Sequence, residues 1–184
     1  MAFTINQDHW LEQVRQVPSS HCDIREDEQD ISLLVIHNIS LPPGQFGGPY
    51  IEQLFTGTLD PAGHPYFAEI HQLRVSAHCL IRRDGEVVQF VPFNARAWHA
   101  GMSEFGGREK CNDFSIGIEL EGTDTLPYTP EQYDALKALT QTLMQMYPAI
   151  TRSRITGHEF IAPGRKTDPG LAFDWRRYKT ALKV

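Results

Sequence analysis

The chain has 184 residues, of which 41% are hydrophobic and 22% are charged, and its formal net charge is -6. Length and composition together predict one globular domain with a substantial core, spanning residues 1–184. The acidic balance and the lack of a long basic run exclude nucleic acid as the main partner, because phosphate neutralisation needs clustered lysine and arginine.

The first part of the chain predicts a short helix, a buried strand and a loop. Asp8 to Val17 is typical of a short amphipathic helix. The sequence ISLLVIH at residues 31–37 predicts a strand that is buried on both faces. Prolines and glycines within residues 41–49 stop this strand and indicate a loop, and a short helix is expected over Tyr50 to Phe55.

The middle of the chain predicts a hairpin and a further strand. Ser76 to Arg83 and Glu86 to Val91 are typical of two paired strands, joined by a turn at Asp84-Gly85. Phe114 to Glu121 alternates between apolar and polar or small residues. This alternation predicts a strand with one apolar face.

The last part of the chain predicts two helices around a short strand. Thr129 and Pro130 are typical of a helix start, and an apolar stripe continues the helix over residues 130–147. A short strand is expected near Arg154 to His158, and a closing helix over Asp174 to Lys183. Strands interleaved with helices predict an α/β or α+β fold, with a single mixed β-sheet flanked by helices.

Two histidines and one aspartate are candidates for metal ligands. His37 ends the buried strand, His158 ends the short later strand, and Asp168 follows in a loop rich in proline and glycine. Two imidazoles and one carboxylate are the three protein ligands that a catalytic zinc ion takes, with the fourth position left open. Because the chain has eight histidines, spacing alone leaves structural roles open for each of them.

One carboxylate and one lysine are candidates for catalysis beside such a metal. Glu119 lies on the polar side of its strand, next to Ser115 and Gly117, whose small size leaves room for a ligand. A partly covered carboxylate near a metal is suited to general acid-base catalysis. Lys166 lies two residues before Asp168, where an ammonium group can stabilise the oxyanion of an amide hydrolysis. The alternatives are a solvated sheet face for Glu119 and an exposed loop position for Lys166.

Aromatic and basic residues elsewhere are candidates for substrate contacts. Trp98 is either a stacking platform for a sugar ring or a core residue. Arg74 and Lys110 are either partners for peptide carboxylates or solvated surface cations. His78 and His99 are candidates for residues that support the metal ligands without binding the metal, although structural roles are favoured for both.

Five blocks of the sequence, taken in order, resemble the zinc-dependent N-acetylmuramoyl-L-alanine amidases. They are LVIHNIS at 34–40, VSAHCLIRRDG at 75–85, AWHAG at 97–101, NDFSIGIELEG at 112–122, and GH at 157–158 with KTDPG at 166–170. The resemblance runs from about residue 8 to the end of the chain. It is closest to the branch that acts on 1,6-anhydro muropeptides in cell-wall recycling. The family is related to phage lysozyme-type amidases and to peptidoglycan recognition proteins.

The resemblance implies a function and a ligand set. It implies hydrolysis of the amide between the lactyl group of (1,6-anhydro)-N-acetylmuramic acid and L-alanine of the stem peptide. It implies that His37, His158 and Asp168 bind one zinc ion per chain, and that Glu119 and Lys166 are the catalytic residues. The alternative is a non-catalytic muropeptide-binding sensor, although such proteins typically lose metal ligands and this chain keeps all three.

The resemblance also implies substrate contacts and shows two departures from the wider family. The implied contacts are made by Asn38, Arg74, Trp98 and Lys110. Lys110 stands where related proteins of this branch have arginine, so it keeps the charge but lacks the planar fork. Ala77 stands where phage-type amidases have a catalytic tyrosine, and their third zinc ligand is often cysteine, whereas here it is aspartate. Both departures favour the 1,6-anhydro branch.

Location and partners are expectations drawn from what the sequence lacks. No secretory signal or membrane-spanning run is apparent, and three widely spaced cysteines do not suggest a disulfide framework. We therefore expect a cytoplasmic enzyme, a monomer, with an anhydro-muropeptide substrate and no nucleic acid or membrane partner. The remaining alternatives are a periplasmic amidase acting on intact wall and a zinc peptidase cutting within the stem peptide.

Overall fold

A six-stranded mixed sheet forms the centre of the structure, a computed structural model that describes residues 2–182. The strands are β1 (Arg15–Gln16), β2 (Cys22–Ile24), β3 (Leu33–Ile39), β4 (Cys79–Ile81), β5 (Val87–Gln89), β6 (Ala95–Ala97), β7 (Glu104–Phe105), β8 (Arg108–Glu109), β9 (Ser115–Glu121) and β10 (Ile155–Gly157). The helices are α1 (Tyr50–Thr56), α2 (Pro65–Ile70), α3 (Pro130–Met146), α4 (His158–Ile161) and α5 (Trp175–Ala181). The predicted fold class, a mixed sheet flanked by helices, is confirmed.

The order of strands in the main sheet is β1-β5-β4-β9-β3-β10. Strands β4 and β5 pair antiparallel, as the predicted hairpin requires, and the other neighbours run parallel. Two further pairs, β2 with β6 and β7 with β8, lie outside this sheet. Strands β3 and β9 are interior strands, each with a neighbour on both sides, so both must be covered on both faces.

Alternation along β3 explains how the two faces of the sheet are buried. Leu34 and Ile36 pack in one apolar cluster with Leu136 and other residues of α3. Leu33 and Val35 point to the opposite face and pack in a separate cluster. Residues of β9 are buried along its whole length, including the polar ones. The alternative of a solvated sheet face for β9 is therefore wrong.

Helix α3 begins as the sequence predicts. The hydroxyl of Thr129 accepts a hydrogen bond from the backbone N–H of Gln132, and the Gln132 side chain accepts one from the backbone N–H of Thr129. The Gln132 amide also donates to the carbonyls of Ile81 and Glu121, at the ends of β4 and β9. These bonds fix the start of α3 against the sheet, and the predicted helix over 130–147 is confirmed.

Near the N-terminus the structure differs from the prediction. Residues 8–17 form turns and strand β1 instead of a short helix. The backbone N–H of Leu11 donates to the side chain of Gln89, and Val17 donates to the Gln89 carbonyl. The free edge of β5 therefore offers this segment backbone partners, and tertiary pairing overrides a weak amphipathic pattern. At the other terminus α5 confirms the closing helix, although Lys183 lies outside the described residues.

Two expectations about the chain as a whole concern membranes and disulfides. Between residues 2 and 182, no helix is both long enough and apolar enough to cross a membrane. Cys22, Cys79 and Cys111 are free thiols, as the sequence predicts. Burial raises the pKa of the Cys79 thiol, so this side chain packs as a small apolar group.

A buried arginine and histidine pair connects the sheet to irregular segments around it. The guanidinium of Arg25 donates to the carbonyls of Phe93 and Ser115 and to those of residues 112 and 113. His78 Nδ1 accepts the backbone N–H of Gly117, and His78 Nε2 lies 3.0 Å from the carbonyl oxygen of Ala95. Burial, and then the positive charge of Arg25, lower the pKa of His78 to about 3.

This low pKa predicts how stability depends on pH. In the unfolded chain a histidine has a pKa of about 6.5, so between pH 7 and pH 5 the unfolded state takes up a proton that folded His78 refuses. We expect the free energy of unfolding of the wild type to fall by about 2 kcal/mol more than that of His78→Asn, which does not titrate. Urea unfolding of both metal-free proteins at the two pH values measures this difference. Equal losses in the two proteins would contradict the prediction.

Candidate active site

The sheet register brings the candidate metal ligands to one face of the central strands. His37 on β3 pairs with Glu119 on β9 in a parallel register, so their side chains share a face. His158 is the first residue of α4, directly after β10, which pairs with β3. Asp168 follows in the next loop, where its carbonyl accepts the backbone N–H of Glu159. Strand order thus assembles residues that are far apart in sequence.

Glycine at position 157 allows this loop to approach the sheet. A Cβ atom at Gly157 would lie 2.9 Å from Pro169 and 3.0 Å from Trp175. The contact with Pro169 is shorter than real Cβ atoms make, and the contact with Trp175 is tighter than most of them, so a side chain would force Pro169 to move away. Glycine at this position therefore permits the close approach of Pro169, the residue that follows Asp168.

Three ligand atoms converge within this cluster. Nδ1 of His37 lies 2.9 Å from Nδ1 of His158 and 3.1 Å from Oδ2 of Asp168, and the latter two atoms are 3.2 Å apart. Both imidazoles are buried and Asp168 is partly buried. The structure thus places the three sequence-predicted ligands around one point.

The chemistry of these atoms fits a divalent cation. His158 Nε2 lies 3.0 Å from the Ala100 carbonyl oxygen, which can only accept, so Nε2 carries the proton and Nδ1 presents its lone pair to the cluster. The Asp168 carboxylate also brings lone pairs. Two imidazole nitrogens and one carboxylate oxygen are the donor set that zinc prefers in hydrolases, and a cation at their centre would satisfy all three.

Protonation states at neutral pH agree with this donor set. Burial lowers the pKa of His37 to about 4, so the imidazole is neutral and able to coordinate a metal. Burial opposes a charged Asp168, but the contacts with His158 and His37 outweigh it and hold the pKa of this carboxyl below its ordinary value. A neutral imidazole beside an ionised carboxylate is the state in which both groups bind metals.

Glu119 is a buried carboxylate on β9. Its Oε2 makes no hydrogen bond with any residue in the described range. Burial, and then the negative charge of Asp168, raise the pKa of Glu119 well above its ordinary value, while the ammonium of Lys166 acts in the opposite direction. A buried, unpaired carboxyl group with a raised pKa is typical of a catalytic acid or base.

These residues line one cavity of about 360 Å³. Lys166 is exposed and reaches this cavity from the loop that carries Asp168. Apolar and aromatic side chains, including Leu41, Tyr66 and Leu73, form its outer walls. A larger depression of about 620 Å³ lies beside Arg82 and Glu121, but these two side chains pair with each other at 3.0 Å. The smaller cavity is therefore the one suited to chemistry.

The predicted substrate contacts fall at different places. Asn38 and Trp98 line the cavity, and the exposed guanidinium of Arg74 lies 5.6 Å from the centre of the Trp98 ring, just outside it. Lys110 is exposed, follows β8 with a φ of 59°, and is not part of the cavity lining. Three of these four residues are thus at or beside the cavity.

Other groups around the site escaped the sequence reasoning. Asn38 Nδ2 donates to Asp124, to the Tyr128 hydroxyl and to the Pro169 carbonyl, which holds the loop of Asp168 against β3.

The space over Gly117, interpreted as room for a ligand, is filled by the ring of His99. The AWHAG block drew attention to His99, but the sequence did not indicate that the His99 ring would pack over Gly117.

Fold and site together indicate a hydrolase with a cluster of two histidines and one carboxylate that could hold a metal ion. The sequence profile of the N-acetylmuramoyl-L-alanine amidases matches residues 7–171. The chain belongs to this N-acetylmuramoyl-L-alanine amidase family, and the family resemblance of its five sequence blocks is confirmed.

Named relatives and solved structures give a closer comparison. The 1,6-anhydro-N-acetylmuramyl-L-alanine amidase AmpD of Salmonella typhimurium strain SL1344 is 68% identical, over 95% of this chain and 93% of that protein. AmpD of Escherichia coli K12 is 66% identical, over 94% of each chain. A crystal structure of a Se-Met AmpD derivative is similar, with a TM-score of 0.94 and 63% identity over 98% of this chain and 100% of that chain.

A more distant solved structure contains a substrate. It is E. coli AmiD in complex with anhydro-N-acetylmuramic acid-L-Ala-D-gamma-Glu-L-Lys. The similarity has a TM-score of 0.62 and 25% identity, over 96% of this chain and 65% of that chain. Resemblance to the AmpD branch, inferred from the sequence blocks, is thus confirmed at high identity over nearly the whole chain.

Proposed function

We propose that this amidase hydrolyses the amide between the lactyl group of 1,6-anhydro-N-acetylmuramic acid and L-alanine of a stem peptide, using one zinc ion bound by His37, His158 and Asp168. One observation carries the proposal: three ligand atoms converge beside the unpaired buried carboxyl group of Glu119. The names of the AmpD relatives support the anhydro substrate and a role in peptidoglycan recycling.

In the proposed mechanism Glu119 moves the protons. When bound, the zinc ion supplies Lewis acidity toward the amide carbonyl and a positive charge that favours ionised Glu119. Ionised Glu119 takes a proton from the attacking water as the water adds to the carbonyl carbon. Glu119 then gives this proton to the nitrogen of L-alanine, since an amide anion is a poor leaving group. The ammonium of Lys166 stabilises the negative charge that develops on the carbonyl oxygen.

The proposed substrate contacts follow from which groups are free. Trp98 Nε1 donates to Asp23, so the indole offers the substrate its ring face, which suits an apolar sugar surface. Arg74 beside this ring offers a planar guanidinium for a stem-peptide carboxylate. Because Asn38 Nδ2 is used by the protein, we assign its Oδ1 to the substrate. Lys110 lies outside the cavity lining, and only the family resemblance supports assigning it a point-charge contact with a peptide carboxylate.

A cleavage assay with metal removal tests the proposal. Anhydro-muramoyl-tripeptide is incubated with the enzyme, with and without a chelator, and the products are weighed by mass spectrometry. We expect free tripeptide and intact anhydro sugar without the chelator, no cleavage with it, and recovery when zinc is added back. An intact substrate in the presence of zinc-loaded protein would contradict the proposal and favour a muropeptide sensor, and cleavage within the tripeptide would indicate a peptidase.

Location and assembly are part of the same proposal. A cytoplasmic monomer agrees with three free thiols, of which Cys22 is only half-buried and would be open to oxidation outside a reducing compartment. A single catalytic domain over residues 1–184 agrees with the one central sheet. Cell fractionation and sedimentation of the purified enzyme test the compartment and the monomer separately.

A further inference from the structure

The second ring nitrogen of His37 is connected to the interior of the protein. Its Nε2 lies 2.8 Å from Nδ1 of His99, and Nε2 of His99 lies 3.0 Å from Oγ of Ser115. The rings of His37 and His99 meet edge to face, with centroids 5.0 Å apart and planes at 89°. All three residues are buried. A hydrogen-bond chain therefore runs from the proposed metal cluster into the core.

The protein is built to hold His99 in this place. A Cβ atom at Gly117 would lie 2.4 Å from the His99 ring, so only glycine leaves room for the imidazole above β9. The side-chain oxygen of Asn112 accepts the backbone N–H groups of His99 and Ala100, at 3.1 and 2.8 Å. Since the Ala100 carbonyl in turn bonds His158, one short turn contacts the outer nitrogens of both histidine ligands.

The donor direction along this hydrogen-bond chain decides whether Nδ1 of His37 presents a lone pair or a proton to a metal. A neutral imidazole has one donor nitrogen and one acceptor nitrogen. His37 offers a lone pair at Nδ1 only if its Nε2–H donates to His99 Nδ1. His99 must then donate from Nε2, and Ser115 Oγ is within reach to accept. The reverse direction would leave a proton on His37 Nδ1, pointing into the cluster.

We propose that His99 is a positioning residue for the metal ligand His37, with Ser115 as its anchor and Gly117 providing the space. His99 accepts the proton of His37 Nε2, which fixes the ring orientation and directs the Nδ1 lone pair to the metal. The inference rests on the proposed zinc site, and its test uses zinc alone, without substrate.

Two replacements separate the hydrogen bond from simple packing. His99→Leu fills the volume but cannot accept, whereas His99→Asn keeps an oxygen acceptor near the position of Nδ1. Zinc affinity is measured by competition with a fluorescent chelator. We expect His99→Leu to bind zinc about 10- to 100-fold more weakly, and His99→Asn to recover most of this loss. The matched control is His21→Leu. His21 is a buried histidine that does not belong to the hydrogen-bond chain of His37, His99 and Ser115, so this variant should bind zinc like the wild type.

Nitrogen NMR of the wild type tests the proton positions directly, and it remains decisive if His99→Leu fails to fold. In the zinc-loaded protein we expect a proton on Nε2 of His99 and none on Nδ1. A proton on His99 Nδ1, or unchanged zinc affinity in folded His99→Leu, would overturn the positioning role and leave the zinc site intact. A wild type that binds no zinc would overturn both proposals.

Discussion

Glu119→Gln is expected to lower kcat for amide cleavage by about 10²- to 10⁴-fold, while zinc stays bound. Glutamine has nearly the same shape, but it cannot take a proton from water and return it to the leaving amine. Structure gives this carboxyl group the required surroundings, because it is buried next to His37 and its Oε2 has no protein partner in the described part of the chain. Initial rates with anhydro-muramoyl-tripeptide and zinc content measured on the same preparation provide the readout.

The matched control for this replacement is Glu159→Gln. Glu159 is another carboxylate near Asp168, half-buried, and loses the same charge when replaced. We expect it to keep near-normal turnover, because its side chain does not line the cavity that contains Glu119. Glu119→Ala should behave as Glu119→Gln does. Near-normal turnover in either Glu119 variant would remove this residue from the mechanism.

His37→Ala is expected to lose both stoichiometric zinc and catalysis. One of three converging ligand atoms disappears, and the remaining imidazole and carboxylate hold a divalent ion too weakly. Loss of Lewis acid stabilisation worth several kcal/mol corresponds to a rate reduction of at least about 10³-fold. Elemental analysis after gel filtration and the cleavage assay measure the two effects together.

A histidine outside the cluster provides the comparison for His37→Ala. His71 caps the end of α2 and lies outside the cavity lining, so His71→Ala should retain one zinc ion per chain and normal turnover. If His37→Ala kept stoichiometric zinc, His37 would leave the ligand set.

Local patterns in the sequence predicted the elements that carry the site. The apolar run before His37 predicted strand β3, and the alternation around Glu119 predicted strand β9. Buried strands have a strong sequence pattern of this kind. A capping box and an apolar stripe did the same for α3. By contrast, the segment over residues 8–17 pairs with the edge of β5, a distant partner that no local pattern could indicate.

The sequence indicated which residues form the site better than it indicated the contacts between them. Family resemblance and strand-end positions indicated His37, His158 and Asp168, and the structure brings all three together. The contact between His99 and His37 depends on the register of two parallel strands and on a loop crossing above Gly117. Such long-range relations are set by packing, which is why Gly117 was interpreted as space for a ligand.

Arg25 shows how a catalytic face can be supported without regular structure. Within residues 2–182 its guanidinium forms no ion pair; it donates instead to carbonyl oxygens of the segment after β5 and of the turn that leads into β9. Both segments border the AWHAG turn, which contacts the candidate metal ligands His37 and His158. A planar group with five donors thus ties these two segments to the segment of Arg25 itself at fixed angles, which a single ammonium cannot do. The turn that contacts both candidate metal ligands is in this way supported by a buried side chain that does not itself line the cavity.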